Sequence, residues 1–422
     1  MTFKRADILL PKFSKDGEKM KKWSVVACDQ YTSEPEYWAE VENVVGTSES
    51  TFRITVPEIY LNDAGIEDRI KNTNITMGKY IADGIFEEHK NTYIYVERTL
   101  KSGVKRLGVV GMVDLEDYDY SAGSQTKIRA TEGTVVSRIP PRLKVRQDAP
   151  VELPHIMMLI DDADCDIIEC NSKIKDTFEK VYDFDMMQNS GHIAGYKMSD
   201  KACDALDKKL AALSDLDAFN KKYGVKKDSP LVFAMGDGNH SLATAKAHYE
   251  NLKKELGEGA KELPARYALC ELVNLHDKSL QFEAIHRVVF GADGKDFIDA
   301  LGKEYNLSFD ENAKGQSFIF VLGGENKKVT VLNPTEYLTV ATLQKFLDGY
   351  IAEKGGEVDY IHGEDVVKKL CEDKNNFGII LDAMDKSDLY KSVILDGALP
   401  RKTFSMGEAC DKRFYTEVRK IK

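Results

Sequence analysis

Pro230-Leu-Val-Phe-Ala-Met-Gly-Asp-Gly-Asn-His-Ser-Leu-Ala-Thr-Ala-Lys-Ala-His-Tyr-Glu250 is the stretch that decides how the rest of the chain is interpreted. Residues 231–235 form a short apolar run between a proline and a glycine, which predicts a buried strand. From Leu242 onward apolar residues recur at helical spacing, which predicts a helix that ends near Gly257. Residues 236–241 therefore form a tight glycine turn that leads into the start of a helix.

Such a turn directs free backbone N–H groups and the positive end of a helix dipole at one point, which favours a bound anion such as phosphate. Gly236, Gly238 and Asn239 are the expected cradle. Asp237 can hold Mg²⁺ or accept a proton, and His240 can donate a hydrogen bond or act as a base. The same residues also fit an ordinary helix start, in which Asp237 or Asn239 caps the helix and the glycines only supply positive φ. Both interpretations stay open at this level.

The composition is that of an ordinary globular protein of two or three domains, with 422 residues, 42% hydrophobic and 31% charged. A formal charge of −11 argues against nucleic acid or an anionic membrane as the main partner. No signal peptide and no run long enough to span a membrane is recognisable. Seven cysteines without a Cys-x-x-Cys pair indicate reduced thiols, so we expect a cytoplasmic protein. The sequence leaves the oligomeric state open.

Elsewhere the hydrophobic pattern predicts alternating helices and strands around this central stretch. The helical patterns cover residues 34–45, 66–89, 202–223, 297–305, 340–352 and 365–372. The strand patterns cover residues 92–96, 107–113, 156–160, 266–275, 280–290, 317–321, 329–332 and 377–381. Pro140-Pro141 is expected to break any helix in the basic region around it.

Carboxylates, cations and hydroxyls outside the turn complete the candidate site. Asp29 and Glu34, at the start of a predicted helix, are candidate second carboxylates. The candidate phosphate- or substrate-binding residues are Arg129, Arg142, Arg266, Arg287, Arg401, Lys402, Ser241 and Ser405. Six cations between residues 127 and 146 fit a phosphate-facing surface, although a solvated charged face is the commoner explanation of such runs. Phe414 and Tyr415 favour burial, which predicts that the C-terminal segment folds back onto the body.

The segments 236–246, 285–289 and 399–407, together with the loop at 25–31, resemble the uncharacterised bacterial and archaeal proteins of domain-of-unknown-function family 1015. The turn usual in that family is Asp-Gly-His-His-Arg. Asp237, Gly238 and His240 match it, Asn239 stands for the first histidine, and Ser241 replaces the arginine. The family's turn is similar to the nucleotide-binding turn of the ParB and sulfiredoxin superfamily, which includes free serine kinases.

This resemblance implies an α+β fold with a mixed-sheet, ParB/sulfiredoxin-like core. The core, with an N-terminal elaboration, would occupy residues 1–295. An α/β C-terminal region at 296–422 would pack back on it, with its tail at 397–421 folded onto the core. Because Ser241 cannot supply a guanidinium, the positive charge would come from Arg129, Arg266, Arg287 or Arg401.

The implied function is a phosphate-handling enzyme that performs phosphoryl transfer or phosphate-ester hydrolysis on a small metabolite. Serine or phosphoserine is a possible substrate, with Mg²⁺ and ATP or ADP as cofactors, which gives a serine-kinase-like phosphotransferase or a phosphoserine phosphatase. The alternative is a non-catalytic, ParB-like module that senses a nucleotide or metabolite and acts through a protein partner. A metal hydrolase is the weakest alternative, because no two of the eight histidines form a His-x-x-x-His pair.

Overall fold

The computed structural model describes residues 1–121 and 123–422 and divides into two compact units. Unit 1 comprises Met1–Ala130, Thr134–Leu280 and Gly407–Lys422, and unit 2 comprises Thr131–Gly133 and Gln281–Met406. Residues 281–295 therefore belong with unit 2. The C-terminal segment is divided at Gly407, so that its last part belongs with unit 1.

Helices and strands are interspersed along the described residues. The helices are α1 (Gly17–Trp23), α2 (Pro35–Val45), α3 (Ile66–Ala82), α4 (Ile139–Gln147), α5 (Asp200–Ala212), α6 (Leu216–Tyr223), α7 (Asn239–Leu256), α8 (Gly294–Glu304), α9 (Thr339–Lys354), α10 (Glu364–Leu370) and α11 (Asp388–Leu395). The strands of the first half are β1 (Phe3–Lys4), β2 (Ala6–Pro11), β3 (Val25–Val26), β4 (Phe86–Thr92), β5 (Ile94–Thr99), β6 (Lys105–Asp114), β7 (Ile128–Arg129), β8 (Val151–Glu152), β9 (Met157–Ile160), β10 (Glu179–Asp185) and β11 (His192–Lys197). Those of the second half are β12 (Phe233–Asp237), β13 (Tyr267–Asn274), β14 (Phe282–Ala284), β15 (His286–Phe290), β16 (Leu307–Ser308), β17 (Gln316–Leu322), β18 (Glu325–Val331), β19 (Glu357–Ile361), β20 (Asn376–Ile380), β21 (Phe404–Met406), β22 (Phe414–Tyr415) and β23 (Arg419–Lys420).

Unit 1 is built on a mixed sheet whose described strands follow the order β10-β11-β5-β6-β13-β9-β12-β7, with β1 paired to β6. Most neighbours are antiparallel, but β13 runs parallel to β9, and β12 runs parallel to β7. The strand of the glycine turn, β12, therefore lies between β9 and β7, with Ala234 opposite Leu159 on one side and Arg129 on the other. This confirms the predicted mixed α/β fold with a mixed sheet, whereas the ParB/sulfiredoxin-like identity of the core stays a prediction.

Both faces of this sheet are covered by apolar side chains. Tyr95 of β5 packs in a core with Leu242 of α7, and its neighbour Ile94 packs in a second core with Trp38 and Tyr415. Successive residues of a strand point to opposite faces, so β5 is buried on both sides. The two cores hold α7 and the end of the chain in unit 1.

Unit 2 contains its own antiparallel sheet, with the order β16-β18-β17-β20-β15-β19 among the described strands. The strands predicted at 317–321 and 329–332 are present as β17 and β18, an antiparallel pair joined at Gly323-Gly324, where both glycines have positive φ. An aromatic core around Phe297, Phe320 and Phe377 lies against this sheet. The strand predicted at 280–290 is divided into β14 and β15, and β15, which begins with His286 and Arg287, is paired on both edges.

Two predicted helices are shorter than their patterns. The pattern at 66–89 ends at Ala82 because Gly84 adopts φ 64°, and the chain then pairs as β4 with β2. The pattern at 202–223 is two helices, since the Asp215 carboxylate accepts from the Ala218 N–H at 2.8 Å and starts α6. In both cases local turn chemistry overrides a continuous apolar period.

The prediction that Pro140-Pro141 breaks any helix is wrong. Both prolines lie in the first turn of α4, where a backbone N–H has no helical partner in any case and the fixed φ suits the helix. The basic region therefore carries Arg142 on an ordered helix.

No helix within residues 1–121 and 123–422 is long and apolar enough to cross a bilayer. All seven cysteines are free thiols. Cys203, Cys270 and Cys371 are buried and act as small apolar side chains.

Candidate functional site

The glycine turn joins the end of β12 to the start of α7. Gly238 has φ 77° and ψ 27°, in the left-handed region. A Cβ at this position would lie 3.0 Å from the Cα of Ile156 and 3.3 Å from the carbonyl oxygen of His155. Glycine is therefore required by the backbone conformation and by the close approach of the chain that leads into β9.

The first turn of α7 keeps its backbone donors free. Within the described chain no side chain caps this helix. The Asp237 carboxylate accepts from the Gly238 N–H at 2.9 Å, not from an N–H of the helix, and Asn239 is itself the first helical residue. The capping interpretation of Asp237 and Asn239 is therefore wrong, and the free N–H groups with the helix dipole favour an anion at this point.

A lysine from the end of the chain reaches the turn. Lys412 lies on the segment Gly407–Lys422, here called the C-terminal strap, and its Nζ is 3.2 Å from Oδ2 of Asp237. Both side chains are about one-fifth exposed (19% and 20%). The strap is fixed next to Lys412 by Arg413, whose buried guanidinium pairs with Glu271 and Glu417. Asp237 is thus presented at the turn together with a neutralising cation.

A hydrogen-bonded chain runs from the strap to the start of α7. The backbone N–H of Cys28 donates to the Tyr415 hydroxyl at 3.1 Å. The same hydroxyl is 2.9 Å from His155 Nδ1, and His155 Nε2 is 2.6 Å from the Ser241 hydroxyl. Tyr415 and His155 are both buried, so the hydrogen bond between these two side chains is shielded from water.

The direction of this chain depends on which ring nitrogen of His155 carries a proton. The Tyr415 hydroxyl accepts the Cys28 N–H and forms its second hydrogen bond with His155 Nδ1. We assign a proton to His155 Nε2, the ring nitrogen that faces Ser241. Ser241 Oγ accepts that proton, which leaves the hydroxyl proton of Ser241 available to a ligand. The arrangement makes Ser241 a donor at the helix start, in the position where the family's turn usually has arginine.

Of the two candidate second carboxylates, Asp29 lies beside this chain. Its Oδ2 is 3.9 Å from His155 Nε2, and its Oδ1 accepts from Gln30 at 3.0 Å. Burial opposes ionisation of Asp29, but His155, Gln30 and Lys412 together hold the pKa of its carboxyl below its usual range. Glu34, in contrast, is exposed immediately before α2.

His240, the second residue of α7, is partly buried, and its Nε2 has no hydrogen-bond partner among the described residues. Burial, with the nearby guanidinium groups of Arg142 and Arg138, lowers the pKa of His240, and Asp29 offsets part of this shift. His240 is therefore neutral near pH 7 and has a free ring nitrogen. Arg142 itself is paired with Glu58 at 2.5 Å.

Two predicted clamps, Arg129 and Arg266, do not reach the turn. The Arg129 guanidinium donates to the carbonyl oxygens of Thr126 and Ser229 at 2.9 and 3.4 Å, at the end of β12 opposite to Asp237. Arg266 forms a two-pronged pair with the Asp114 carboxylate at 3.0 and 2.7 Å. Both guanidinium groups are thus engaged elsewhere in unit 1.

The remaining predicted residues belong to unit 2, and their part in a phosphate site stays a prediction. Arg287 is buried and donates from Nε to Gln344 at 3.0 Å. Arg401 is exposed and donates to the Tyr360 hydroxyl at 3.0 Å. Lys402 is also exposed, and Ser405 lies on β21.

No group of three or more His, Cys, Asp or Glu side chains within residues 1–121 and 123–422 is arranged to hold a metal ion. The residues that the sequence did not single out are His155, Lys412, Tyr415 as a site residue, and Glu58. Each reaches the turn region only through the tertiary fold. A histidine before an apolar strand carries no local signal for such a role.

The comparisons with known proteins add the following. The family model described as protein of unknown function (DUF1015) matches residues 12–350. No curated protein matches the chain. Solved structures that resemble it include SbnI with a C-terminal truncation from Staphylococcus aureus, at 9% identity and a TM-score of 0.37, covering 71% of this chain and 82% of that one. They also include a conserved hypothetical protein from Pyrococcus furiosus, at 12% identity and a TM-score of 0.36, covering 76% of this chain and 97% of that one. A further similar structure is a free serine kinase in complex with AMP, at 12% identity and a TM-score of 0.39, covering 74% of this chain and 91% of that one. At TM-scores this low, none of these likenesses carries an argument about the chemistry of this chain.

Proposed function

The chain belongs to the DUF1015 family, and we propose that its glycine turn binds the phosphate group of a small metabolite or nucleotide, on which the protein performs phosphoryl transfer or phosphate-ester hydrolysis. The observation that carries this proposal is the uncapped start of α7 behind Gly238. Free helix N–H groups, a hydroxyl donor and nearby cations are what a phosphate needs.

Some residues at the turn bind the phosphate, and Asp237 transfers a proton. Asn239, His240 and Ser241 offer backbone N–H groups, and Ser241 adds its hydroxyl proton. Asp237 accepts the proton of an attacking hydroxyl or water, a role that requires Lys412 to move aside or to bind a phosphate oxygen. In phosphoryl transfer, positioning and charge neutralisation supply most of the rate enhancement. A neutral His240 is suited to a hydrogen bond with the substrate.

Mg²⁺ and ATP or ADP complete the proposal. Proteins usually hold Mg²⁺ through one or two carboxylates together with substrate phosphates, and the oxygen donors of Asp237 and Asp29 fit that requirement. When bound, the ion neutralises charge on the phosphate. Serine or phosphoserine is the proposed substrate, and a ParB/sulfiredoxin-like core is the proposed ancestry of unit 1.

Phosphorus NMR of the purified protein with Mg²⁺, ATP or ADP, and serine or phosphoserine tests the proposal directly. We expect new phosphorus resonances with wild-type protein and a loss of turnover of about 10²- to 10⁴-fold in Asp237→Asn. Nucleotide or phosphate binding without any consumption would contradict catalysis and favour a sensing module.

The matched control is Asp215→Asn, since Asp215 is another carboxylate directly before a helix and caps α6. It is expected to keep full turnover and nearly full stability, because Asn caps a helix about as well as Asp does. An equal loss of turnover in both variants would indicate a general folding defect.

A further inference from the structure

A pocket of about 140 Å³ opens beside the start of α7, within unit 1. Its walls are mainly apolar and are formed largely by Ile54, Val56, Met77, Val145, Val151 and Leu269. Ser241 and His155 form part of the same lining. The hydroxyl proton that the Tyr415–His155 chain leaves to Ser241 is therefore available at the border of an apolar space.

The charged side chains at the border of this pocket already have partners. Arg142 is paired with Glu58, and Arg146 donates to Glu152 at 2.6 Å. The Glu152 carboxylate also forms an ion pair with the Arg419 guanidinium at 2.7 Å. An ammonium or carboxylate group placed in the pocket would lose water without gaining an unpaired counter-charge, which costs free energy. The pocket therefore favours an uncharged, apolar group.

The size of the pocket limits that group. A protein cavity of about 150 Å³ lined by Leu, Ile and Phe binds benzene, and the volume here is about 140 Å³. One six-membered ring, or a branched aliphatic chain of similar volume, fills such a space. A purine is larger than this.

We propose that this pocket binds the organic part of a phosphate monoester, an apolar group about the size of one six-membered ring, whose phosphate lies at the uncapped start of α7. The proposal rests on the proposed function for its phosphate, and it replaces phosphoserine with an apolar phosphate monoester as the class of substrate. Ser241 joins the two halves of the site, since it lines the pocket and its hydroxyl donates to a phosphate or ester oxygen.

The test is calorimetric titration of the full chain with inorganic phosphate, phenyl phosphate, phosphoserine and AMP. Phenyl phosphate is expected to bind at least about tenfold more tightly than inorganic phosphate, because its ring leaves water for the pocket. Ala149→Leu fills the pocket from its wall and is expected to lower the affinity for phenyl phosphate to that for inorganic phosphate. Leu153→Phe is the second filling variant, used if Ala149→Leu unfolds. Ala39→Leu, on the exposed surface of α2, is the matched control and should change neither affinity.

The outcomes separate this inference from the proposed function. Inorganic phosphate that binds, with phenyl phosphate no tighter, overturns the pocket assignment and leaves the phosphate site intact. Phosphoserine or AMP that binds more tightly than phenyl phosphate, with an affinity that falls in Ala149→Leu, also overturns it, because a charged or larger group then occupies the pocket. If none of the four ligands binds, the proposed function fails together with this inference.

Discussion

His155 Nε2 lies 2.6 Å from the Ser241 hydroxyl, so a residue that precedes β9 sets the direction of a hydroxyl at the start of α7. The same imidazole is held from its other side by Tyr415 at 2.9 Å. Three residues that lie far apart in the sequence therefore act as one donor unit. The group of this unit that donates to a ligand is the Ser241 hydroxyl.

Removal of the far end of this unit is expected to weaken phosphate binding. Tyr415→Phe removes the hydrogen-bond partner of His155 Nδ1, and Ser241→Ala removes the hydroxyl itself. Ser241→Ala removes the hydrogen bond to the ligand, and Tyr415→Phe removes the contact that holds His155 against Ser241, so each should weaken inorganic phosphate binding by about 3- to 10-fold. The double variant should lose little more than either single variant, which calorimetric titration of all four proteins would measure.

Additive losses in the double variant would mean that Tyr415 does not act through Ser241. Tyr415→Phe also leaves the Cys28 N–H without its acceptor, so it is expected to lower the free energy of unfolding by about 1–3 kcal/mol. Affinities must therefore be compared on protein that is shown to be folded.

Gly238→Ala is expected to destabilise the protein and to abolish phosphate binding. The left-handed conformation alone costs a residue with a Cβ about 1–2 kcal/mol. At Gly238 the added Cβ also meets the backbone of Ile156 at 3.0 Å, which forces the turn away from the chain before β9. Denaturant unfolding and phosphate titration measure the two effects separately.

Gly224→Ala is the matched control for this substitution. Gly224 ends α6 in the same left-handed region, with φ 66° and ψ 37°, and a Cβ there meets no atom within 4 Å among the described residues. It should lose about 1–2 kcal/mol of stability and keep its affinity for phosphate. An equal loss of stability in both variants would show that the approach of Ile156 costs nothing.

The local part of the site could be predicted from the sequence, because it is contiguous. A short apolar run, two glycines and a helical period within residues 231–257 specify the strand, the turn and the helix, and the structure places them as β12, Gly238 and α7. Burial of Tyr415 also agrees with the prediction from its aromatic neighbours. These features depend on backbone geometry and hydrophobic burial, which short sequence windows express.

The long-range part could not be predicted. Ser241 and His155 are separated by 86 positions, and His155 and Tyr415 by 260, so no local period relates them. The prediction that Arg129 and Arg266 serve the phosphate rested on charge alone, and charge does not specify the carbonyl or carboxylate that a guanidinium meets in the fold. Pro140-Pro141 shows the converse, since a proline pair in a first helical turn cannot be told from a helix breaker by composition.

His248, on the buried side of α7, is expected to make the protein less stable as the pH is lowered. Burial, with the charges of Arg146 and Lys422, lowers the pKa of His248 to about 4, and Glu152 and Asp148 offset only part of this. The unfolded chain, with a histidine pKa of about 6.5, takes up a proton in the interval in which the folded chain does not. The contribution to stability is therefore complete above about pH 6.5 and is lost as the pH falls toward 4.

Urea unfolding of wild-type protein and His248→Leu at about pH 7 and about pH 5 would measure this contribution. Over that interval the wild type should lose about 2 kcal/mol more than the variant. His362→Leu is the control, because the His362 side chain is 55% exposed, and it should follow the wild type. If His248→Leu loses as much unfolding free energy between these two pH values as the wild type does, the acid sensitivity belongs to other groups.

The C-terminal strap is expected to depend on Arg413 for its place in unit 1. Its guanidinium pairs with Glu271 and with Glu417, and its Nε donates to the Pro154 carbonyl oxygen at 3.1 Å. Arg413→Met would leave two buried carboxylates without their cation, which costs about 3–5 kcal/mol. Denaturant unfolding measures the loss, and Arg53→Met, which removes an exposed partner of Glu42, should cost less than about 1 kcal/mol.

The triple variant Arg413→Met, Glu271→Gln, Glu417→Gln distinguishes an electrostatic cause from lost packing. Neutral amides do not need the missing cation, so this variant should recover a large part of the stability that Arg413→Met loses. Phosphate affinity should return with it, because Lys412 and Tyr415 on either side of Arg413 regain their places beside Asp237 and His155. If stability returns without phosphate affinity, the strap holds the fold of unit 1 but takes no part in binding.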